Sequence, residues 1–515
     1  MPPQTGKEDV FVTPAEHGGV TDISCLGTLE LTQRTDPLEV LPPQLQKERQ
    51  RLEKLFTVDT AMLRRITKRF GEELEEGLQE QGQNIPMNIT WVTSLPTGQE
   101  TGTYLALDLG GTNLRVCRIT LKSGDAEVEQ EKYLLPSSIK TGTSNDLWDF
   151  IADSLEKYVA DHPSGSAKDG ELLPLGFTFS YPATQDRIDH GLLQTWTKGW
   201  DVNDVEGKDV AALLRSAIEK RKIPVKLVAL INDTTGALIA SRYKDPETIT
   251  GAIFGTGCNA AYIEKCNNIP KLKAYDQNIS QVGTGHEDDM MAINCEYGAF
   301  DNSHKVLPRT PYDEAIDKES PRPGEQSFEK MSAGLYLGEI FRQAVVDMWR
   351  RGVLFQSDQG RADQNGNERK SLDEPYSMDT GFLSQIENDE SKELADSRRL
   401  FESTVYLPTG ENKSKRLSPS SEELLFLRHL AQLIAVRGAR LCACGVSALC
   451  KRQGSTTGHV AADGSVAIKH PHFRRRWEAA VAEILDLEVG KIQLTAAEDG
   501  SGIGAAVIVA LTMAK

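Results

Sequence analysis

Two well-separated stretches of the 515-residue chain are built on one plan. Leu105-Ala106-Leu107-Asp108-Leu109 runs as a strand into Gly110-Gly111-Thr112, and Asn113 to Ile119 continues with strand chemistry. Farther on, Gly251-Ala252-Ile253-Phe254 runs into Gly255-Thr256-Gly257, and Cys258 to Ile263 again reads as a strand. Glycine frees the backbone so that successive N–H groups converge on one point, which makes an anion nest. A Walker A loop opens a helix and carries Gly-Lys-Ser/Thr. Here a strand follows each turn, so the pattern is a β-hairpin and neither a P-loop nor a Rossmann turn. Either turn alone also fits an ordinary hairpin. Their repetition constrains the fold far more, because it implies duplicated α/β halves with a nucleotide clamped between them.

Around the first hairpin, Thr112 and Asn113 add side-chain donors, and Asp108 stands where a Mg²⁺-bound phosphate would place positive charge. Between the hairpins, Val225 to Leu230 is a largely apolar run that predicts a buried strand. It ends at Asn232-Asp233-Thr234-Thr235-Gly236, and strand ends are the rim where α/β sheets carry chemistry. Asp233 is either a cap for the helix expected from Ala237 or a catalytic carboxylate. Its place between two phosphate-type hairpins is what a phosphotransferase needs. Gln194-Thr195-Trp196-Thr197-Lys198-Gly199-Trp200 reads as a loop in which an apolar sugar or base face meets a charge, or as a Trp-anchored surface loop. Glu296 and Glu329 stand at element ends, where a carboxylate either caps or accepts hydrogen bonds from a polyol.

The length argues for two lobes. With 39% apolar and 26% charged residues the composition is globular, and a net charge of −17 argues against a nucleic-acid surface. A bound polyphosphate must therefore be held by local donors. The eight cysteines form no Cys-x-x-Cys set, which argues against zinc, and their apolar surroundings predict buried thiols in a reducing compartment. With no signal peptide read at the start and no apolar run of bilayer length, a cytoplasmic protein is expected.

Along the chain, residues 1–42 read as a flexible tail, and Gln44 to Glu80 as an amphipathic helix pair. Leu147 to Val159 predicts a helix capped by Asp146, and Leu175 to Pro182 a strand stopped by proline. One long helix is expected from the Gln326 region to about Arg351. Loops are expected at 162–171, 359–370 and 404–421, with order resuming from Tyr376 to Glu390, where Thr380 and Ser384 stand four residues apart. Glu422 to Cys450 is apolar around most of its circumference and reads as a core helix. Val460 to Val466 predicts a strand and a tight Asp-Gly turn, and a Gly-Ser-Gly turn is expected to open the last helix.

The motifs LALDLGGTNLRV (105–116), LGFTFSYPA (175–183), WTKGW (196–200), NDTTG (232–236), FGTGCNAAY (254–262), INCEYGAFD (293–301), FEKMSAGLYLGE (328–339), ADGSV (462–466) and DGSGIGAA (499–506) carry a resemblance. In that order they are similar to those of eukaryotic hexokinases, and within them of fungal glucokinases. The resemblance covers nearly the whole chain after the tail. It implies an α/β, duplicated actin-like ATPase (ribonuclease H-like) fold with two lobes around a deep cleft. The expected division is an N-terminal helical region (43–95) on the large lobe, a small lobe (96–231) joined by the C-terminal helix (502–515), and a large lobe (232–501).

The implied activity is ATP-dependent phosphorylation of glucose at the 6-hydroxyl, with ATP and Mg²⁺, in a monomer or weak homodimer that binds no nucleic acid or membrane. The alternatives are an inactive sugar-sensing regulator, or a kinase of another hexose such as N-acetylglucosamine or fructose. Asp233 matches the catalytic base, and Lys198 is the second catalytic residue implied. Ser180, Thr197, Lys198, Asn232, Asp233, Asn259, Glu296, Gln326 and Glu329 match the sugar-binding set. Asp108, Gly110, Gly111, Thr112, Asn113 and Arg115 match the first phosphate motif, and Gly255, Thr256 and Gly257 the second. Thr380, Ser384, Gly464 and Ser465 match the nucleotide and adenosine positions, and Asp108 meets the metal indirectly, through Mg-ATP. Two positions depart from the pattern, Tyr297 for the usual Trp and Ala333 for the usual Ser or Gly.

Overall fold

The computed structural model describes residues 41–111, 113–162, 172–197, 200–275, 289–356, 370–408 and 414–514. The tail before residue 41, Thr112, Lys198 and most of the expected loops at 162–171 and 359–370 lie outside the described residues. The chain opens with helices α1 (Pro43–Phe56) and α2 (Thr60–Gln79), then strands β1 (Asn88–Ile89), β2 (Thr101–Leu109), β3 (Asn113–Lys122) and β4 (Ala126–Leu134). Helix α3 (Ser144–Asp161), strand β5 (Leu173–Phe179), helix α4 (Val210–Arg221), strand β6 (Val225–Ile231) and helix α5 (Asp233–Lys244) follow. Strands β7 (Thr248–Phe254), β8 (Cys258–Lys265) and β9 (Met290–Asn294) precede helices α6 (Ser327–Ser332), α7 (Gly334–Arg350), α8 (Thr380–Glu387) and α9 (Ser421–Gln453). The last elements are β10 (Gly458–Asp463), α10 (Ser465–Lys469), α11 (Phe473–Leu485), β11 (Ile492–Ala496) and α12 (Gly500–Met513).

Two sheets carry the duplication. The first has the order β4-β3-β2-β5-β6, and the second β1-β9-β8-β7-β10-β11. In each, the hairpin strands are antiparallel while a parallel strand flanks the hairpin's first strand, β5 beside β2 and β10 beside β7.

Period-two alternation explains how the first sheet is covered. Leu105, Leu107 and Leu109 of β2 share a core with Trp148, Ile151 and Leu155 of α3 and Leu214 of α4. Ala106, with Cys117 and Ile119 of β3, belongs instead to a core with Leu238 and Ile239 of α5 and Ile503 and Val507 of α12. Small residues let that second layer come close. A Cβ on Gly176 would lie 2.9 Å from the Ala505 Cβ, and one on Gly504 would lie 2.2 Å from the Gly236 carbonyl oxygen. The Gly500-Ser501-Gly502 stretch, expected as a turn, is therefore inside α12, where its small residues let α12 and α5 pack backbone to backbone. The second sheet shares its core with α2, α9 and α11 through Phe70, Leu441 and Trp477.

Several expectations change. Helix α9 is long and apolar enough by length and composition to cross a membrane, so one apolar run does reach that size. Its apolar window is 89% buried, as a core helix requires. Helix α3 is capped by Thr143, with Asp146 completing a capping box from the third helical position. Helix α5 starts at Asp233, not Ala237, because Asn232 takes the Thr234 N–H at 2.9 Å. The helix expected from 326 to 351 breaks at Ala333 (φ −85°, ψ 153°). The break lets Gly334 and Leu335 give their N–H groups to the carbonyls of Gly255 and Thr256, at 2.7 and 3.3 Å. Part of the 404–421 loop pairs into a small three-stranded sheet with residues 370–371. After Asp463 the expected glycine turn leads into helix α10.

Candidate active site

Strand β6 ends against the second sheet, and the chain turns there into α5. Ser180, Pro182 and Thr197, from connections of the first sheet, face Asn232 and Asp233 across a cleft of about 500 Å³. The far wall is Ile253, Gly257, Cys258 and Asn259 of the second hairpin, Glu296 after β9, and Gln326 and Glu329 at the start of α6. Every described member of the expected sugar-binding set thus lines one cavity. Glu296 and Gln326 hold left-handed backbone conformations, with φ of 56° and 54°. Such strain in non-glycine residues gathers at functional sites. No periodicity in the sequence announces it.

The cavity floor is a polar network. One Glu296 carboxylate oxygen, Oε1, accepts from the amides of Asn294, Asn259 and Asn232 at 2.9, 3.1 and 3.3 Å. The Glu296 N–H donates to Asn259 Oδ1 at 2.8 Å. On the same wall Glu329 accepts the Cys258 N–H at 3.1 Å. Asp233 accepts the Thr234 N–H at 2.9 Å from the first position of α5, where a helix N-terminus favours negative charge.

Above this floor lies the first hairpin. Arg115 donates to Asp108 through Nε at 2.9 Å and to Asp499, ahead of α12, at 3.0 Å. Its guanidinium is thus committed to two carboxylates. Burial raises the Asp108 carboxyl, Arg115 pulls against it, and the charges of Asp233 and Asp499 push it up further. Burial also raises the Tyr181 hydroxyl, and Asp233 and Asp108 push it up further. Asp108, Asp233 and Tyr181 therefore share one electrostatic environment. The two Trp of the loop do not face a ligand in this arrangement. Trp196 and Trp200 are buried, stack at 5.3 Å and pack on Tyr181, and Trp200 Nε1 donates to the Gly111 carbonyl at 3.2 Å. They fix the loop that brings Thr197 to the cleft.

The nucleotide positions of the second half also converge. A Cβ on Gly464, whose φ is 106°, would lie 2.6 Å from the Gly255 nitrogen. Thr380 donates to the Gly334 carbonyl at 2.6 Å and accepts the Gly338 N–H at 3.2 Å, so α8 is tied to the start of α7 beside the hairpin turn. Ser384, one turn on, accepts from Asn388, and Ser465 opens α10. At the far ends of α8 and α10, Glu387 takes hydrogen bonds from His470 and Arg476, which hold it below the usual carboxylate range against burial.

Residue-type reasoning missed Pro182, Ile253, Cys258, Thr234 and Asn294. The last is a polar residue closing an apolar strand, which is the signal that could have found it.

Two hexokinase family models match the chain, over residues 48–243 and 249–511. A hexokinase of Emericella nidulans is 48% identical over 489 residues, 94% of each chain. A glucokinase of Aspergillus niger is 36% identical over 488 residues, 90% of this chain and 96% of its own. The identity is thus higher to the hexokinase than to the glucokinase. A solved hexokinase from Schistosoma mansoni, complexed with glucose, superposes with a TM-score of 0.75 at 32% identity, covering 91% of this chain and 99% of its own.

Proposed function

The chain belongs to the hexokinase family, and on that premise we propose how its cleft transfers a phosphoryl group from ATP to the 6-hydroxyl of glucose. The observation that carries this reading is the single cavity lined from both sheets by Ser180, Thr197, Asn232, Asp233, Asn259, Glu296, Gln326 and Glu329. Carboxylates and amides in that number suit a polyol, since each can bind a separate hydroxyl.

Asp233 is the general base. It takes the hydroxyl proton as the sugar oxygen bonds to the γ-phosphorus and the bond to ADP breaks. A positioned base of this kind contributes about 10²–10⁴-fold. Glu296 and Glu329 are already committed to amide and backbone N–H donors, which suits them to holding the sugar. The hairpin turns receive the phosphates, with Thr256, backbone N–H groups and Lys198 spreading the charge of the transferring group. Asp108 and Asp233 act on each other in the cleft, so the site suits a divalent cation arriving with the nucleotide. Mg²⁺ would supply charge neutralisation there, with Asp108 holding it indirectly. Closure of a small lobe (96–231, with the last helix) on a large lobe (232–501) excludes water as a competing acceptor. The enzyme acts as a monomer or weak homodimer, and the buried thiols of Cys117, Cys258, Cys295, Cys442, Cys444 and Cys450 support a cytoplasmic location.

A coupled phosphorylation assay with MgATP and a panel of glucose, mannose, fructose and N-acetylglucosamine tests the reading. Glucose is expected to be preferred, mannose next and fructose poor. Turnover of no hexose would overturn it, and fructose used as well as glucose would correct the specificity.

A further inference from the structure

Asn294 does not line the sugar cavity, yet it touches three of the groups that do or that hold them. It ends β9, is 4% exposed, and its backbone is paired on both sides, with Asn88 of β1 and Ala261 of β8. Its amide nitrogen donates to Glu296 Oε1 at 2.9 Å. Its amide oxygen accepts from Asn259 Nδ2 at 2.8 Å and from Thr234 Oγ1 at 3.0 Å. The same Thr234 hydroxyl lies 2.6 Å from the Asn232 side-chain oxygen, so its single proton is shared between the two amide oxygens, and Thr234 follows Asp233 at the start of α5.

We propose that Asn294 is a positioning residue for the acceptor sugar, setting Glu296, Asn259 and the Asn232–Asp233 turn in one fixed geometry from behind the cavity. This rests on the reading of that cavity as the sugar site. The residue type follows from the chemistry of its neighbours. Glu296 accepts and Asn259 donates, so the side chain between them must donate on one side and accept on the other, which an amide does from its two ends. Aspartate keeps the shape and the acceptor but places a second carboxylate against Glu296. Two carboxylates at that distance share a proton at low pH and repel when both ionise.

The test is Asn294→Asp, with Asn294→Ser beside it to keep a small polar group. KM for glucose and for ATP, kcat, and glucose affinity by calorimetry are measured from pH 6 to 9, together with the melting temperature. The other titratable groups near the pair, Asp233 on α5, Glu329 on α6 and Cys295 beside Asn294, are common to all forms. For Asn294→Asp the glucose KM is expected to rise tenfold or more at pH 8 and distinctly less at pH 6, while the ATP KM stays within twofold. Asn294→Ser raises the glucose KM without that pH slope. If either folded variant keeps a glucose KM within twofold of wild type at every pH, the positioning role is wrong, even with a lowered melting temperature. Wild-type protein separates the two readings. Failure to bind or phosphorylate glucose at all would remove the sugar site, whereas normal wild-type activity beside unaffected variants would remove only this role for Asn294.

Discussion

The two Gly-Thr hairpins share a sequence plan but are held by different physics. At the first, Gly110 has an ordinary φ, and a Cβ there would meet nothing nearer than the Asn113 carbonyl at 3.7 Å. Its turn is braced by side chains, with Trp200 on the Gly111 carbonyl and Arg115 joining Asp108 to Asp499. At the second, the turn is braced by backbone. Gly255 packs on Gly464, the Gly334 N–H reaches the Gly255 carbonyl, and a Cβ on Gly257 would lie 2.6 Å from the Glu329 carboxylate. At Gly110 a side chain would therefore meet no protein atom closely, so the demand for glycine there does not come from packing. The second is a close-packed joint between the nucleotide wall and the sugar wall. Similar motifs need not make similar demands on their glycines.

Alanine at glycines in and beside the two turns sharpens that contrast. Gly464→Ala has the largest expected effect on stability. It forces φ near 106° on a residue with a side chain and drives the Cβ into the Phe254 and Gly255 backbone, a strain of about 1–3 kcal/mol or more. Thermal unfolding should show the loss, and an unchanged melting temperature would mean the two turns are not packed as described. Gly257→Ala comes next. The Glu329 carboxylate can swing away, so the cost falls on the site, and losing a charged hydrogen bond worth about 1.5–3 kcal/mol should raise the glucose KM by one to two orders of magnitude. If only the ATP KM moves, Gly257 serves phosphate and not Glu329.

Gly110→Ala should leave the melting temperature almost unchanged, since a surface change with no clash costs within about 0.5 kcal/mol. It should raise the ATP KM alone, because the added methyl meets only the incoming phosphate. Equal loss of stability at Gly110 and Gly464 would erase the contrast. The smallest effect belongs to Glu206→Gln. Glu206 lies 3.6 Å from Arg322, joining the Trp-loop side of the cleft to the segment before α6, and both side chains are nearly half exposed. An exposed pair is worth about 0–1 kcal/mol, so the glucose KM should rise less than fivefold and the effect should fade with added salt.

Much of this architecture was legible in the sequence because the strands carry clean alternation and end in glycine turns. Asp233 could be singled out because a buried apolar strand ends beside it. The rest was hidden for physical reasons. The break at Ala333 depends on carbonyls of Gly255 and Thr256, distant in sequence, capturing two helix N–H groups. The burial of Trp196 and Trp200 depends on Tyr181 and Phe179 across the lobe. The commitment of Arg115 depends on Asp499, which only the topology of α12 brings near. Asn294 escaped because it acts on the cavity through neighbours and not by facing it.

The central claim is that Asp233 acts on a sugar that other residues hold, so binding and turnover separate at this side chain. Calorimetric titration of glucose into Asp233→Ala, with turnover measured on the same preparation, tests this most directly. Glucose affinity is expected to stay within about tenfold of wild type, the loss of one hydrogen bond, while kcat falls by about 10²–10⁴-fold or more. Glucose affinity weakened a hundredfold or more while kcat stays near wild type at saturating sugar would contradict the assignment and make Asp233 a binding residue only.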